Sequence, residues 1–219
     1  MRRSHLCPAA VALVAAMAGC SAGGPAPSAD ATAASATSTA SAASATPVGT
    51  APSSAAQSPV AAESNPPGDI PDNIAFVEYA NATGRYRFTH PEGWAEKTTG
   101  TTVTFTDKLN GVHASAGTAT TAPTTATAKQ QDVPALARSQ AAFELRGVTE
   151  VTEPGGRGVR IVYRRNSAPD AVTGRQYRDE VERYELVSHG REVIVELFGP
   201  VGADNVDAYH TMITSLRIR

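Results

Sequence analysis

Between residues 21 and 69 the chain is built almost wholly from Ala, Ser, Thr, Pro and Gly, and this segment limits where a fold can form. It holds three charged residues, Asp30, Glu63 and Asp69, and no aromatic residue, Leu or Ile. Such a stretch cannot bury enough apolar surface to offset the entropy of ordering its backbone. Residues 20–70 therefore read as a disordered tether, with a root-mean-square span of roughly 35–42 Å. Nearly all Tyr, Phe, Leu and Ile, and the only Trp, Trp94, lie beyond residue 70. A folded unit is expected over residues 71–219. A chain of that length buries roughly 68–70% of its unfolded surface and needs no disulfide or metal to hold it.

The N-terminus reads as an export address. Arg2 and Arg3 give a basic start, and Leu6–Ala18 is an apolar run too short to span a bilayer, which takes about 20 residues. It has the length of a signal-peptide core. Met17-Ala18-Gly19-Cys20 follows at once and resembles the lipobox of bacterial lipoproteins. The resemblance implies removal of residues 1–19 and acylation of Cys20. Each buried methylene of such an anchor contributes about 0.8 kcal/mol, so two or three acyl chains hold firmly. The expectation is a chain held on the extracytoplasmic face of a cell membrane by palmitate-type chains on Cys20. Cys7 lies in the segment to be removed, so no internal disulfide is available. The proline- and alanine-rich tether has an actinobacterial look. The formal charge is −2, and −4 once Arg2 and Arg3 are lost. That balance implies no strong field and no nucleic-acid partner.

Within residues 71–219 the apolar pattern alternates with period two in several places. Strands are expected over 74–80, 85–89, 102–106, 112–118, 148–153, 159–164, 175–187 and 192–197. Asn110-Gly111 and His189-Gly190 read as hairpin turns, and Gly155-Gly156 as a turn between strands. Residues 118–127 and 166–174 read as loops. Asp132 reads as the N-cap of a helix running to about Leu145. Val206, Tyr209, Ile213 and Leu216 recur at helical spacing in a last helix starting near Asp204. Strands joined by hairpins with two helices predict an α+β fold, an antiparallel sheet covered by helices.

Phe88-Thr89-His90-Pro91-Glu92-Gly93-Trp94 sets an aromatic residue, Pro, Gly and Trp just after an early strand. A charged hairpin and an apolar strand near the end lead to a helix closing on Ser215-Leu216-Arg217-Ile218. This layout resembles the PsbP-like superfamily over about residues 75–218, and is similar to actinobacterial LpqN-type lipoproteins. The resemblance implies an α/β/α sandwich and non-catalytic roles: assembly factor, partner-protein binder or helper of a lipid carrier.

No Gly-x-Ser-x-Gly elbow, P-loop, His-Glu-x-x-His or Cys-x-x-Cys occurs, so no enzyme, cofactor or metal site is expected. His90, His113, His189 and His210 are scattered. The densest basic cluster is Arg157, Arg160, Arg164, Arg165, Arg175, Arg178 and Arg183. Arg160, Arg164, Arg165, Arg175 and Arg178 are the candidates for binding an anion or partner around the 166–174 loop. The competing reading is cross-strand pairing with Asp179, Glu180, Glu182 and Glu185, since acids and arginines interleave. The functional expectation is a monomeric accessory or binding module for an envelope protein or lipid intermediate. The alternative is a carrier with an apolar ligand between sheet and helix. A hydrolase with an unreadable site ranks last.

Overall fold

The structure is a computed structural model and describes residues 57–62, 64 and 67–219. The signal segment, Cys20 and most of the tether lie outside the described residues. Among the described residues, no helix is long and apolar enough to cross a membrane.

The chain forms β1 (Phe76–Asn81), β2 (Tyr86–Pro91), β3 (Ala95–Thr99), β4 (Thr102–Asp107) and β5 (Asn110–Thr118). Helices α1 (Thr125–Gln130) and α2 (Asp132–Ser139) follow. Then come β6 (Glu144–Glu153), β7 (Gly156–Asn166), β8 (Arg178–Ser188), β9 (Arg191–Pro200), helix α3 (Val206–Ser215) and β10 (Arg217–Ile218). Seven strands make one antiparallel sheet in the order β3-β4-β5-β9-β8-β7-β6, and β1-β2-β10 make a second, smaller sheet. The α+β class with an antiparallel sheet between layers is as expected.

Period-two alternation explains which side of the large sheet each residue faces. On one face Val112, Val193, Val195, Leu197 and Leu186 meet Tyr86 and Phe88 of β2 and Met212, Ile213 and Leu216 of the α3 end, in one buried cluster. Full burial of each such side chain contributes about 1.5–3 kcal/mol. Trp94 joins this cluster at 7% exposure, after Gly93 turns the chain at φ 83°. On the opposite face Val159, Ile161, Tyr163 and Val181 pack against Ala128 of α1 and Leu136 of α2.

Four local readings change. The β4–β5 hairpin exists, but its turn is Lys108-Leu109, with Asp107 opposite Asn110 and Lys108 at φ 49°. Asn110 and Gly111 are already in β5. The Asn110 amide donates to the Gly68 carbonyl at 2.7 Å, and the Phe198 ring packs where a Cβ on Gly111 would stand. Tertiary packing, rather than positive φ, is what needs Asn-Gly here. The expected 118–127 loop contains α1, sealed by a capping box between Thr124 and Thr127. Asp132 is the first residue of α2 instead of its cap; Gln131 holds that position. The helix also stops at Ser139 instead of near Leu145. Ala142 takes a positive φ of 51°, and Arg178 donates to its carbonyl at 2.7 Å. The chain then enters β6, and Phe143 packs on Tyr163 at 5.3 Å between ring centres. By contrast His189-Gly190 is a hairpin turn with both residues at positive φ, as its sequence demands. Ala95–Thr99, exposed at every position, is an edge strand with no apolar alternation to reveal it.

The described part of the segment before residue 71 is fastened to the domain. Asn166 donates to the Ser58 carbonyl at 2.7 Å and accepts from Val60 N–H at 3.1 Å. Gln57 donates to Gln176 at 2.7 Å, and Ile70 N–H donates to Asn205 at 2.8 Å. Ile70 is 5% exposed within the main core. The packed unit thus begins upstream of residue 71.

Candidate functional site

The face of the large sheet under α1 and α2 is part apolar and part charged. Odd-numbered residues of β7 and β8 and even-numbered residues of β9 point this way. Antiparallel register sets Ile161, Arg183 and Glu196 in one row across three strands. Arg183 donates to Glu196 at 2.8 Å and to Glu185 at 2.6 Å, and the Tyr163 hydroxyl donates to Glu196 at 3.1 Å. All four side chains are largely closed to water. Burial acts to lower the Arg183 pKa, but the two carboxylates outweigh it and hold it above its ordinary value. Burial pushes Glu185 up, against the pull of Arg183. Burial also works against Glu196, yet Arg183, Arg165 and the Tyr163 hydroxyl together hold it below the usual range. One cation shared by two acids leaves Glu196 as the ionised partner and Glu185 the easier one to protonate. His113 borders this row. It pairs with Thr104 at 2.9 Å, and burial depresses its pKa.

The five arginines singled out in sequence are not brought together. Arg160 and Arg164 stand on the opposite face and are held by acids on β8: Arg160 grips Glu182 with two bonds, and Arg164 meets Glu180 at 2.8 Å. Arg165 faces the helices, 3.6 Å from Asp179, with its guanidinium 5.1 Å over the Phe198 ring. Arg178 is 6% exposed and ties Glu144, Asn166 and the Ala142 carbonyl together. Arg175 lies over Tyr177 at 5.3 Å on the loop. Cross-strand register puts Arg164 opposite Glu180 and Arg165 opposite Asp179, while Arg160, opposite Tyr184, reaches diagonally to Glu182, so the interleaved pattern resolves into pairs. Arg157 differs: it is exposed, opposite Val187, with no ion-pair partner among the described residues.

Arg157 borders the largest open cleft described, about 540 Å³, where three separate pieces of chain converge. The 120–124 loop supplies Thr120, Thr121 and Thr124, the end of β6 supplies Glu150 and Thr152, and the β8–β9 turn supplies Ser188 and His189. Glu150 is fixed by the Thr125 main-chain N–H at 3.2 Å, which fastens α1 over the sheet. The wall is hydroxyl-rich, with one carboxylate, one guanidinium and one imidazole, and it has the chemistry of a polar recognition surface. Sequence reasoning missed it because its parts come from turns and loop ends far apart in the chain. The only local signal was the His189-Gly190 turn.

Among the described residues no three His, Cys, Asp or Glu side chains come close enough to hold a metal ion. His90 stacks on Phe105 with ring centres 3.6 Å apart and its pKa is lowered by burial. His210 is on α3, well removed in the chain from the cleft.

No family model matches the chain, and no curated protein matches it. Two solved structures are similar in the course of their chains. One is the cyanobacterial PsbP (CyanoP) from Synechocystis sp. PCC 6803, at 15% identity and a TM-score of 0.47, covering 69% of this chain and 98% of that one. The other is the Saccharomyces cerevisiae Ran-binding protein Mog1p, at 8% identity and a TM-score of 0.43, covering 67% and 96%. At such identities a similar arrangement of elements brings no function with it.

Proposed function

We propose that this chain is a non-catalytic binding module, tethered by an acylated Cys20 to the extracytoplasmic face of a bacterial membrane. In this reading the cleft beneath the 120–124 loop engages a polar segment of an envelope protein. The observation that carries it is the cleft itself: an open, hydroxyl-lined surface built by three converging chain segments, with the unpaired Arg157 at its rim. The strongest ionic groups of the domain are tied up in structural pairs below α1 and α2, and this favours recognition over proton-transfer chemistry. An apolar ligand between the large sheet and α3 has less support, because Tyr86, Phe88, Met212 and Leu216 fill that space.

Two measurements test the reading. A photo-crosslinking residue at Thr121, in intact cells, is expected to trap a defined envelope protein that a crosslinker at exposed Lys97 does not. The same proteins from both positions would refute the assignment of the cleft. Radiolabelled palmitate is expected to mark the wild-type chain and to leave a Cys20→Ala variant unmarked. Equal labelling, or equal membrane retention of the variant, would remove the anchor.

A further inference from the structure

The outer face of the small sheet carries a second cluster, separate from the cleft. β2 and β10 run antiparallel with Arg87 directly opposite Arg217. Their neighbours Tyr86 and Ile218 turn inward, at 2% and 6% exposure, so both arginines leave the sheet on the side away from the core. Like charges directly opposite across a ladder repel. Arg85 and Arg219 flank the pair, joined by a main-chain bond from Arg219 N–H to the Arg85 carbonyl at 2.9 Å. Arg217 turns one nitrogen back to the carbonyls of Thr214 and Leu216. Glu78 answers Arg87 alone, at 2.8 Å, and that pair is open to water. The side chains of Arg85 and Arg219 have no ion-pair partner among the described residues. Among the described side chains on this face, the four arginines outnumber the one acid, Glu78.

Arg85, Arg87 and Arg219 line a cavity of about 430 Å³ together with Glu78 and Asn81. The Nε of Arg87 is closed off from solvent and has no hydrogen-bond partner among the described residues. A donor closed to water is closed to a ligand oxygen as well, so an anion in the cavity would be met by the terminal nitrogens of the guanidinium. Planar guanidinium forks match the paired oxygens of a phosphate group better than they match a single carbonyl. The cavity is in the size range of small-ligand sites. We propose that this arginine face is a binding site for a phosphate group, carried either by a soluble phosphate ester or by an anionic lipid headgroup. It is independent of the cleft and of the anchor.

The test uses the full chain with Cys20→Ala, so that no acyl chain confuses the result. Inorganic phosphate is titrated while the Arg87 Nε–H resonance is followed by NMR. In parallel, flotation compares vesicles of phosphatidylglycerol with vesicles of phosphatidylcholine. Saturable movement of the Arg87 signal is expected, with affinity reduced at least tenfold by Arg85→Ala/Arg219→Ala and unchanged by Arg146→Ala on β6. Phosphate binding without a vesicle preference assigns a soluble ester. A phosphatidylglycerol preference lost in the double variant assigns a headgroup. Arg85 and Arg219 are exposed, so the double variant keeps its fold, checked by its unchanged amide spectrum elsewhere. No phosphate shift together with no vesicle preference would overturn the proposal, as would equal losses in the double variant and in Arg146→Ala.

Discussion

Replacing Arg183 by Leu removes the one cation that holds two buried carboxylates in the centre of the large sheet. The substitution keeps most of the aliphatic stem but leaves Glu185 and Glu196 without their bonds at 2.6 and 2.8 Å. Those carboxylates are 3% and 12% exposed as side chains, so water cannot take over the role of the guanidinium. Breaking a buried pair by deleting one partner costs about 3–5 kcal/mol. That is a large part of the roughly 5–15 kcal/mol that holds an ordinary domain together. In a domain of this size it corresponds to a fall in Tm of roughly 6–20 °C. The loss has a pH signature. With Arg183 gone, burial raises both carboxyl groups of the folded variant above the unfolded value of about 4.3, Glu196 less than Glu185 because Arg165 and the Tyr163 hydroxyl still act on it. The folded variant then binds protons more tightly than its unfolded chain, so its stability falls as pH rises. The deficit relative to wild type is largest at pH 7 and shrinks as pH falls toward 5. Urea unfolding at both pH values measures it. Combining Arg183→Leu with Glu185→Gln and Glu196→Gln is expected to recover most of the lost stability, because no charge is left stranded. A deficit under about 1 kcal/mol at pH 7, or one that does not change between pH 7 and pH 5, would refute the claim that these charges are buried and mutually dependent.

Two further outcomes are expected. Gly158 lies opposite Leu186, one pair in from the end of the β7–β8 ladder, and a Cβ there would collide with the main-chain oxygen of Glu185. Backbone cannot move aside as a side chain can, so Gly158→Ala should yield little folded protein, seen as loss of the cooperative thermal transition, whereas Gly147→Ala, with open space at its Cβ, should unfold like wild type. Burial raises Asp179 to about 6, with Arg165 opposing at 3.6 Å. Its contribution is therefore present below about pH 4 and is lost as pH rises through about 6, so Asp179→Asn should stabilise the protein at pH 7 by on the order of 2–3 kcal/mol and should not do so at pH 4; equal effects at both pH values would refute it.

What was legible in the chain was whatever one element decides by itself. Val193, Val195 and Leu197 alternate with polar neighbours, so β9 and its buried face could be read directly. His189-Gly190 can adopt two positive φ values in succession, and the turn forms there. Val206 to Leu216 repeat at helical spacing, and α3 follows. The register of β7 against β8 was not in either strand alone, and it decides that Arg160 and Arg164 meet acids on one face while Arg165 and Arg183 meet them on the other. Asn110-Gly111 has the composition of a turn, but it is used for the Gly68 carbonyl and the Phe198 ring, contacts 42 and 87 residues away in the chain. The cleft and the arginine face needed the same information. Each gathers exposed side chains from segments that have no shared period, and exposed residues carry no apolar pattern to betray their neighbours. Periodicity records which side of an element is dry; only the packing of one element on another records which charges and hydroxyls end up side by side.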